Sequence, residues 1–220
     1  MSRVRSAVER RAQLMDAGAE LFTTKGLAAT TLDDITRRAG VSKGLFYQYF
    51  SSKEALVFAL QEKFATAFAT DVSAAAAERP DWPGKLDAVV LACYERFTAQ
   101  EDLHDVLFRH LPGDTVGPRA AGESADLEVT GPAGHQAAHR HLVRAIGELL
   151  DAGIAAGAYR VADVEATALL FFTAMHAFDR AFRHDYGLTD DRLIQATQRL
   201  VRGAAGIPEP AGAVQAVSGL

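Results

Sequence analysis

Residues 31–50 read TLDDITRRAGVSKGLFYQYF, and the rest of the chain is organised around this stretch. Thr31 followed three residues later by Asp34 forms a capping box, so a helix starts here with Asp33 and Asp34 in its first turn, where acids favour the positive end of the helix dipole. Gly40 supplies the left-handed residue that stops it. Only Val41 and Ser42 separate Gly40 from Lys43: Val41 can fill the angle between two helices, and the hydroxyl of Ser42 can cap the second. The spacing predicts two short helices joined by a tight turn, a helix-turn-helix. In the second helix Phe46 and Phe50 lie four apart and face inward, which leaves Lys43, Gly44, Tyr47 and Gln48 largely on the opposite face.

That outer face carries a cation, hydrogen-bond donors and a flat ring, a chemistry matched to a DNA groove. Lys43 suits phosphate or guanine, Gln48 base edges and Tyr47 phosphate or sugar, while Gly44 lets the backbone come close. An ordinary helix hairpin with an aromatic patch packed on a core would show the same helical spacing. The longer run TLDDITRRAGVSKGLFYQYFSSKEAL, residues 31–56, resembles the DNA-binding signature of the TetR family of bacterial transcription regulators. The resemblance implies an all-α homodimer that binds a palindromic double-stranded DNA operator, most often as a repressor, and is released by a small molecule. Two residues depart from the family pattern. Thr36 stands where a small alanine is usual, and Leu45 where a small or hydroxylated residue is common. Leu45 either touches a thymine methyl or shifts the preferred sequence, and Tyr49 either contacts the DNA backbone or, three residues from Phe46, joins the core.

The charge distribution agrees with this placement. The net charge is −5, but residues 1–53 hold nine Lys and Arg against five Asp and Glu, whereas residues 54–220 hold fourteen against twenty-three. A basic N-terminal module on an acidic body concentrates attraction for phosphate at the helix-turn-helix. The expected DNA-facing set is Arg3, Arg5, Thr31, Lys43, Gly44, Leu45, Tyr47, Gln48, Tyr49 and Lys53. Lys53 enters because it opens the next helix, where free N–H groups and the lysine together could hold one phosphate. An apolar fraction of 49% marks a folded chain, and the single Cys93 excludes an internal disulfide. MSRVRSAVERR has no apolar signal region, and the longest apolar stretch, 164–178, is interrupted by Glu165 and His176. The expectation is a soluble cytoplasmic protein without a membrane partner.

Apolar periodicity predicts a first helix over 6–24, closed by Lys25-Gly26, which covers the helix pair through Leu32, Ile35, Ala39 and Val41. A second capping box, Ser51 with Glu54, starts a long helix over 52–78. Further helices are expected over 85–99, 103–111, 135–156, 164–183 and from Thr189 or Asp190 to Arg202. Residues 112–134, with five Gly and three Pro, read as a loop with one short helical turn near 120–127. The fold class is therefore all-α: an N-terminal three-helix module joined by a long helix to a C-terminal helical bundle, about nine or ten helices in total. The expected domains are 1–53 for DNA binding, 54–203 for ligand binding and dimerisation, and 204–220 as a flexible tail.

The run GELLDAGIAAGAYRVADVEATALLFF resembles the same family again, whose last helix pair forms a four-helix bundle with its partner's. Small residues at 152, 153, 155 and 156 allow close approach, and Leu169, Leu170, Phe171, Phe172, Phe178 and Phe182 exceed what one side of a monomer buries. A homodimer follows. A cavity for an apolar or aromatic effector would draw on Tyr94, Phe97, Phe108, His139, Phe172, Met175 and His176, although these side chains could equally fill a core, with His176 satisfied by a neighbour. His135 and His139 have ligand-compatible spacing, but no acidic or cysteine partner accompanies them, so neither metal nor cofactor is expected. Cys93 reads as inert packing. No nucleophile elbow, phosphate loop or metal signature suggests an enzyme. Beside the enzyme as competing class, a DNA-binding protein with a purely dimerising body and no small-molecule pocket is a third.

Overall fold

The computed structural model describes residues 6–178 except 110–131, together with 183 and 185–208; at 109 and 132–139 the backbone alone is described. Among these residues nine α-helices and no strands are present. They are α1 (Ala7–Lys25), α2 (Leu32–Ala39), α3 (Lys43–Tyr49), α4 (Lys53–Ala77), α5 (Trp82–Ala99), α6 (Glu101–His104), α7 (Pro132–Ala155), α8 (Val164–Met175) and α9 (Asp190–Ala204). The all-α expectation holds. Of the loop expected over 112–134, residues 112–131 lie outside the described residues, as does the end of the tail, whereas 132–134 form the start of α7, three residues before the expected helix.

Contacts group the chain into two units, Met1–Ala65 with Gln100–Ala138 and Thr66–Ala99 with His139–Leu220. Helix α4 passes through both.

In the first unit, local signals build the helices and a few large side chains hold them together. Ser6 and Glu9 form a capping box at the start of α1, and Gly26, at φ 86°, closes it. Leu14, Phe22, Ile35, Phe46 and Leu56 are fully buried and make the centre of the unit. Gly18 allows α1 to approach α4, since a Cβ there would lie 2.7 Å from Leu56 Cδ2. Thr36 is buried with its hydroxyl donating to the carbonyl of Leu32 at 3.0 Å, so the departure from alanine is accommodated without an orphan polar group. Helix α6 is shorter than the helix expected over 103–111, because a π-helical turn at Asp105–Arg109 takes over after one turn. There the carbonyl of Leu107 accepts from the buried amide of Gln61 at 2.7 Å, a pairing absent from the sequence pattern.

The second unit packs α5, α8 and α9 together. Leu86, Val89, Val90, Cys93 and Phe97 of α5 are buried, as are Phe171, Phe172 and Met175 of α8 and Val201 of α9. Helix α5 begins at Trp82 and not at Lys85. The carboxylate of Asp81 accepts from the N–H of Gly84 at 2.7 Å, so Pro83 falls in the first turn, where its missing N–H costs nothing. Helix α8 ends at Met175, short of the expected Arg183, and tightens into a 3₁₀ turn at His176–Phe178. Tyr159, on the connection from α7 to α8, donates to the carbonyl of Trp82 at 2.8 Å and meets its ring edge-on. Gly153 is buried under that tyrosine, which makes its small size a requirement within the chain and not only of a partner surface. No described helix is long and apolar enough to cross a membrane.

Candidate nucleic-acid interface

The helix-turn-helix forms as its local signals require. The Thr31 hydroxyl accepts from the Asp34 N–H at 3.2 Å while the Asp34 carboxylate accepts from the Thr31 N–H at 3.0 Å, completing the capping box. Gly40 sits at φ 64°, ψ 37°, the left-handed conformation that ends α2. Ser42 then caps α3 through the N–H of Leu45 at 3.2 Å. Phe46 and Phe50 are buried with ring centroids 5.7 Å apart, which fixes how α3 rotates about its axis. Arg38 holds α2 on α1 through a two-point pairing with Glu20, at 3.0 and 2.6 Å.

This rotation sends Lys43, Gly44, Tyr47 and Gln48 to solvent, Tyr47 with 56% of its surface exposed, and leaves Leu45 and Tyr49 half-buried. A Cβ on Gly44 would meet nothing nearer than Ser42 Oγ at 3.9 Å, so the backbone there is open to close approach. Thr31 is exposed at the N-terminus of α2, on the same unit. Arg3 and Arg5 lie outside the described residues. Lys53 does not extend freely: its ammonium donates to the carbonyls of Leu27 and Thr30 at 2.9 and 3.0 Å, tying the first turn of α4 to the connection between α1 and α2.

Lys43 and Lys25 lie beside acids that sequence spacing does not reveal, and Arg37 lies near an acid three residues before it. Lys43 Nζ lies 2.6 Å from Asp33 Oδ1, Lys25 pairs with Asp34, and Arg37 lies 3.7 Å from the same carboxylate. The Lys25 hydrogen bond, then the Thr31 N–H and hydroxyl, hold the Asp34 carboxyl well below the usual range. The Asp33 carboxylate raises the Lys43 ammonium above its ordinary value.

Of the effector-cavity residues, Phe108 belongs to the first unit, where its ring stacks on His104 at 5.0 Å and meets Phe64 at 5.5 Å. Tyr94, Phe97, Phe172, Met175 and His176 belong to the second. Phe97, Phe172 and Met175 are buried. His176 opens the 3₁₀ turn with Nδ1 3.2 Å from the carbonyl of Phe172 and its ring edge-on to Phe172. Tyr94 meets Phe178 edge-on and bonds Asp190; burial and that carboxylate push its phenol up to about 12. The side chain of His139 lies outside the described set. Within the second unit an open groove of ≈ 350 Å³ runs between α4 and α7, lined by Thr66, Thr70, Ser73, His141, Arg144 and Glu148, none of them in the expected cavity set. Among the described residues no group of three or more His, Cys, Asp or Glu gathers as metal ligands. Cys93 is buried, which pushes its thiol up and away from reactivity.

A family profile described as bacterial regulatory proteins of the tetR family matches residues 14–60, which hold the greater part of α1, all of α2 and α3 and the start of α4. The transcriptional activator FasR of Mycolicibacterium smegmatis is 38% identical over 87 residues, covering 40% of each chain. Residues 14–60 thus carry the DNA-binding module of the tetR family. A second relative, the HTH-type transcriptional repressor KstR2 of Rhodococcus jostii, is 36% identical over 90 residues, 41% of this chain and 44% of that one. The matched segments thus span about two fifths of these relatives' lengths. The fatty acid degradation regulator FadR of Bacillus halodurans matches 94% of this chain and 100% of its own with a TM-score of 0.70 at 18% identity. FadR of Bacillus subtilis, solved in complex with stearoyl-CoA, matches 88% and 98% with a TM-score of 0.68, also at 18% identity. At that identity the likeness is one of fold.

Proposed function

We propose that this chain is a sequence-specific DNA-binding transcription regulator of the TetR family, a repressor that binds a palindromic operator as a homodimer and leaves it when a small molecule binds. The observation that carries the reading is the orientation of α3: burial of Phe46 and Phe50 turns Lys43, Gly44, Tyr47 and Gln48 together to solvent on a capped helix. In this reading residues 1–53 bind DNA, with Arg3, Arg5, Thr31, Leu45 and Tyr49 completing the contacts. Lys53 contributes by holding the start of α4, whose free N–H groups face phosphate. Residues 54–203 dimerise and take the effector, and 204–220 form a tail.

Dimerisation is supported by Leu169 and Leu170 of α8 and Leu200 of α9, which are 52%, 67% and 59% exposed. Two copies of α3 must then enter successive major grooves about 34–36 Å apart, or a multiple of that. An effector that binds more tightly to a form with a different separation removes the protein from DNA; equal affinity for both forms would shift nothing. The stearoyl-CoA held by a protein of the same fold makes long-chain acyl-CoA the first probe to try against Tyr94, Phe97, His139, Phe172, Met175 and His176 of the second unit.

Selection from a random duplex library at moderate salt tests the reading. An enriched palindrome with half-sites one or more helical turns apart supports it. Binding that is salt-sensitive but blind to sequence overturns it.

A further inference from the structure

Lys43 is the one described cation on α3, and its ammonium is already occupied: Nζ lies 2.6 Å from Asp33 Oδ1, with both side chains more than half exposed. Asp33 is in the first turn of α2 and Lys43 in the first turn of α3, so the turn through Gly40 brings two residues ten apart in sequence onto one surface. We propose that Asp33 is an intramolecular competitor of DNA phosphate for Lys43 and thereby sets the absolute affinity of the module for DNA. This rests on the DNA-binding reading above.

The helical role of Asp33 is not enough to account for its placement. An acid in the first turn favours the dipole, but Asp34 already fills the capping box and pairs with Lys25. Asp33 projects instead to the ammonium that a phosphate would take. For Lys43 to meet DNA, that ion pair must open, and the released carboxylate is left beside the phosphates. Two consequences follow. The exchange of one anionic partner for another reduces the gain from the contact, and the freed carboxylate gathers a cation that offsets part of the counter-ion release which normally drives binding. The ammonium remains fully charged throughout, so the effect is one of competition and not of titration.

The test compares wild type with Asp33→Asn for binding to a labelled duplex of mixed sequence over a salt series, with helicity checked by circular dichroism. Asp33→Asn should bind about two- to fivefold tighter, the range set by an exposed ion pair, and its log K against log salt slope should steepen by a fraction of the roughly 0.9 per phosphate. Glu78→Gln changes the net charge equally from an exposed site on the other unit and should leave affinity unchanged. In a Lys43→Met background Asp33→Asn should have no effect. Unchanged or weaker binding by Asp33→Asn, an equal gain from Glu78→Gln, or persistence of the gain without Lys43 each overturns the proposal while leaving the regulator reading intact. Wild type that binds no duplex at low salt overturns both.

Discussion

Lys53 donates its ammonium to the carbonyl of Thr30 at 3.0 Å, across 23 residues of sequence, and with its second bond to Leu27 it fastens the start of α4 to the segment that leads into α2. Thr30 is itself buried and donates to the carbonyl of Gly26 at 2.7 Å, so the connection is tied at both ends. Lys53→Met removes two charge-assisted bonds and leaves their acceptors short of partners. It should lower unfolding stability by about 1–3 kcal/mol in urea denaturation. Its effect on the salt dependence of DNA binding should be smaller than that of Lys43→Ala; an equal effect would assign Lys53 to phosphate directly.

On α3 Lys43 and Gln48, both exposed, should separate by readout. Lys43→Ala weakens binding to all duplexes alike and reduces the magnitude of the salt slope by less than the roughly 0.9 of an unpaired cation, because Asp33 offsets part of the release. Gln48→Ala should cost about 1–3 kcal/mol on the selected operator and relax preference at one base pair. Titrations against the operator and its single-base variants distinguish the two.

A Cβ at Gly153 would lie 2.0 Å from Tyr159 Cδ2, inside a contact that Tyr159 cannot leave without losing its bond to Trp82. Gly153→Ala should therefore destabilise by about 1–3 kcal/mol. Gly147 lies on the same helix with its nearest neighbour at an ordinary 3.8 Å, and Gly147→Ala should be neutral or stabilise by about 0.5–1 kcal/mol. Thermal denaturation of the pair measures the difference.

The Asp34 carboxyl is depressed by Lys25 first and by Thr31 second. A depressed acid stabilises the folded state fully above its unfolded value, 3.8, and loses that contribution as pH falls through the folded value. The stability gap between wild type and Asp34→Asn should be constant at neutral pH and shrink below about pH 4. A gap that persists to the lowest pH at which the protein folds would trace the loss to capping geometry and not to charge.

Leu170 is 67% exposed on α8, so its replacement should leave the fold of one chain intact. Leu170→Glu should shift the protein from dimer to monomer in sedimentation velocity and weaken operator binding steeply. A dimer that survives the charge would move the partner surface elsewhere.

How much of this was legible in the sequence depends on the distance over which each interaction acts. The capping box at Thr31, the left-handed Gly40 and the inward pair Phe46 and Phe50 each join residues no more than four apart, so spacing alone determined the helix-turn-helix. The same local rule misplaced the start of α5, because Asp81 caps the N–H of Gly84 across Trp82 and Pro83. It also ran α8 past Met175, since an apolar period does not show where a helix tightens into a 3₁₀ turn.

The amino-acid order by itself therefore determined an all-α chain with a basic N-terminal helix-turn-helix and the residues that its second helix turns outward. Only the tertiary structure decided that Lys43 is held by Asp33, that Lys53 serves Leu27 and Thr30, that Gln61 is spent on Leu107, and that Gly153 makes room for Tyr159. The helical signals arise from covalent neighbours within a single turn. These pairings join residues further apart than any helical turn spans, and they exist only once burial of Phe22, Ile35, Phe46 and their counterparts in the second unit has brought separate helices together.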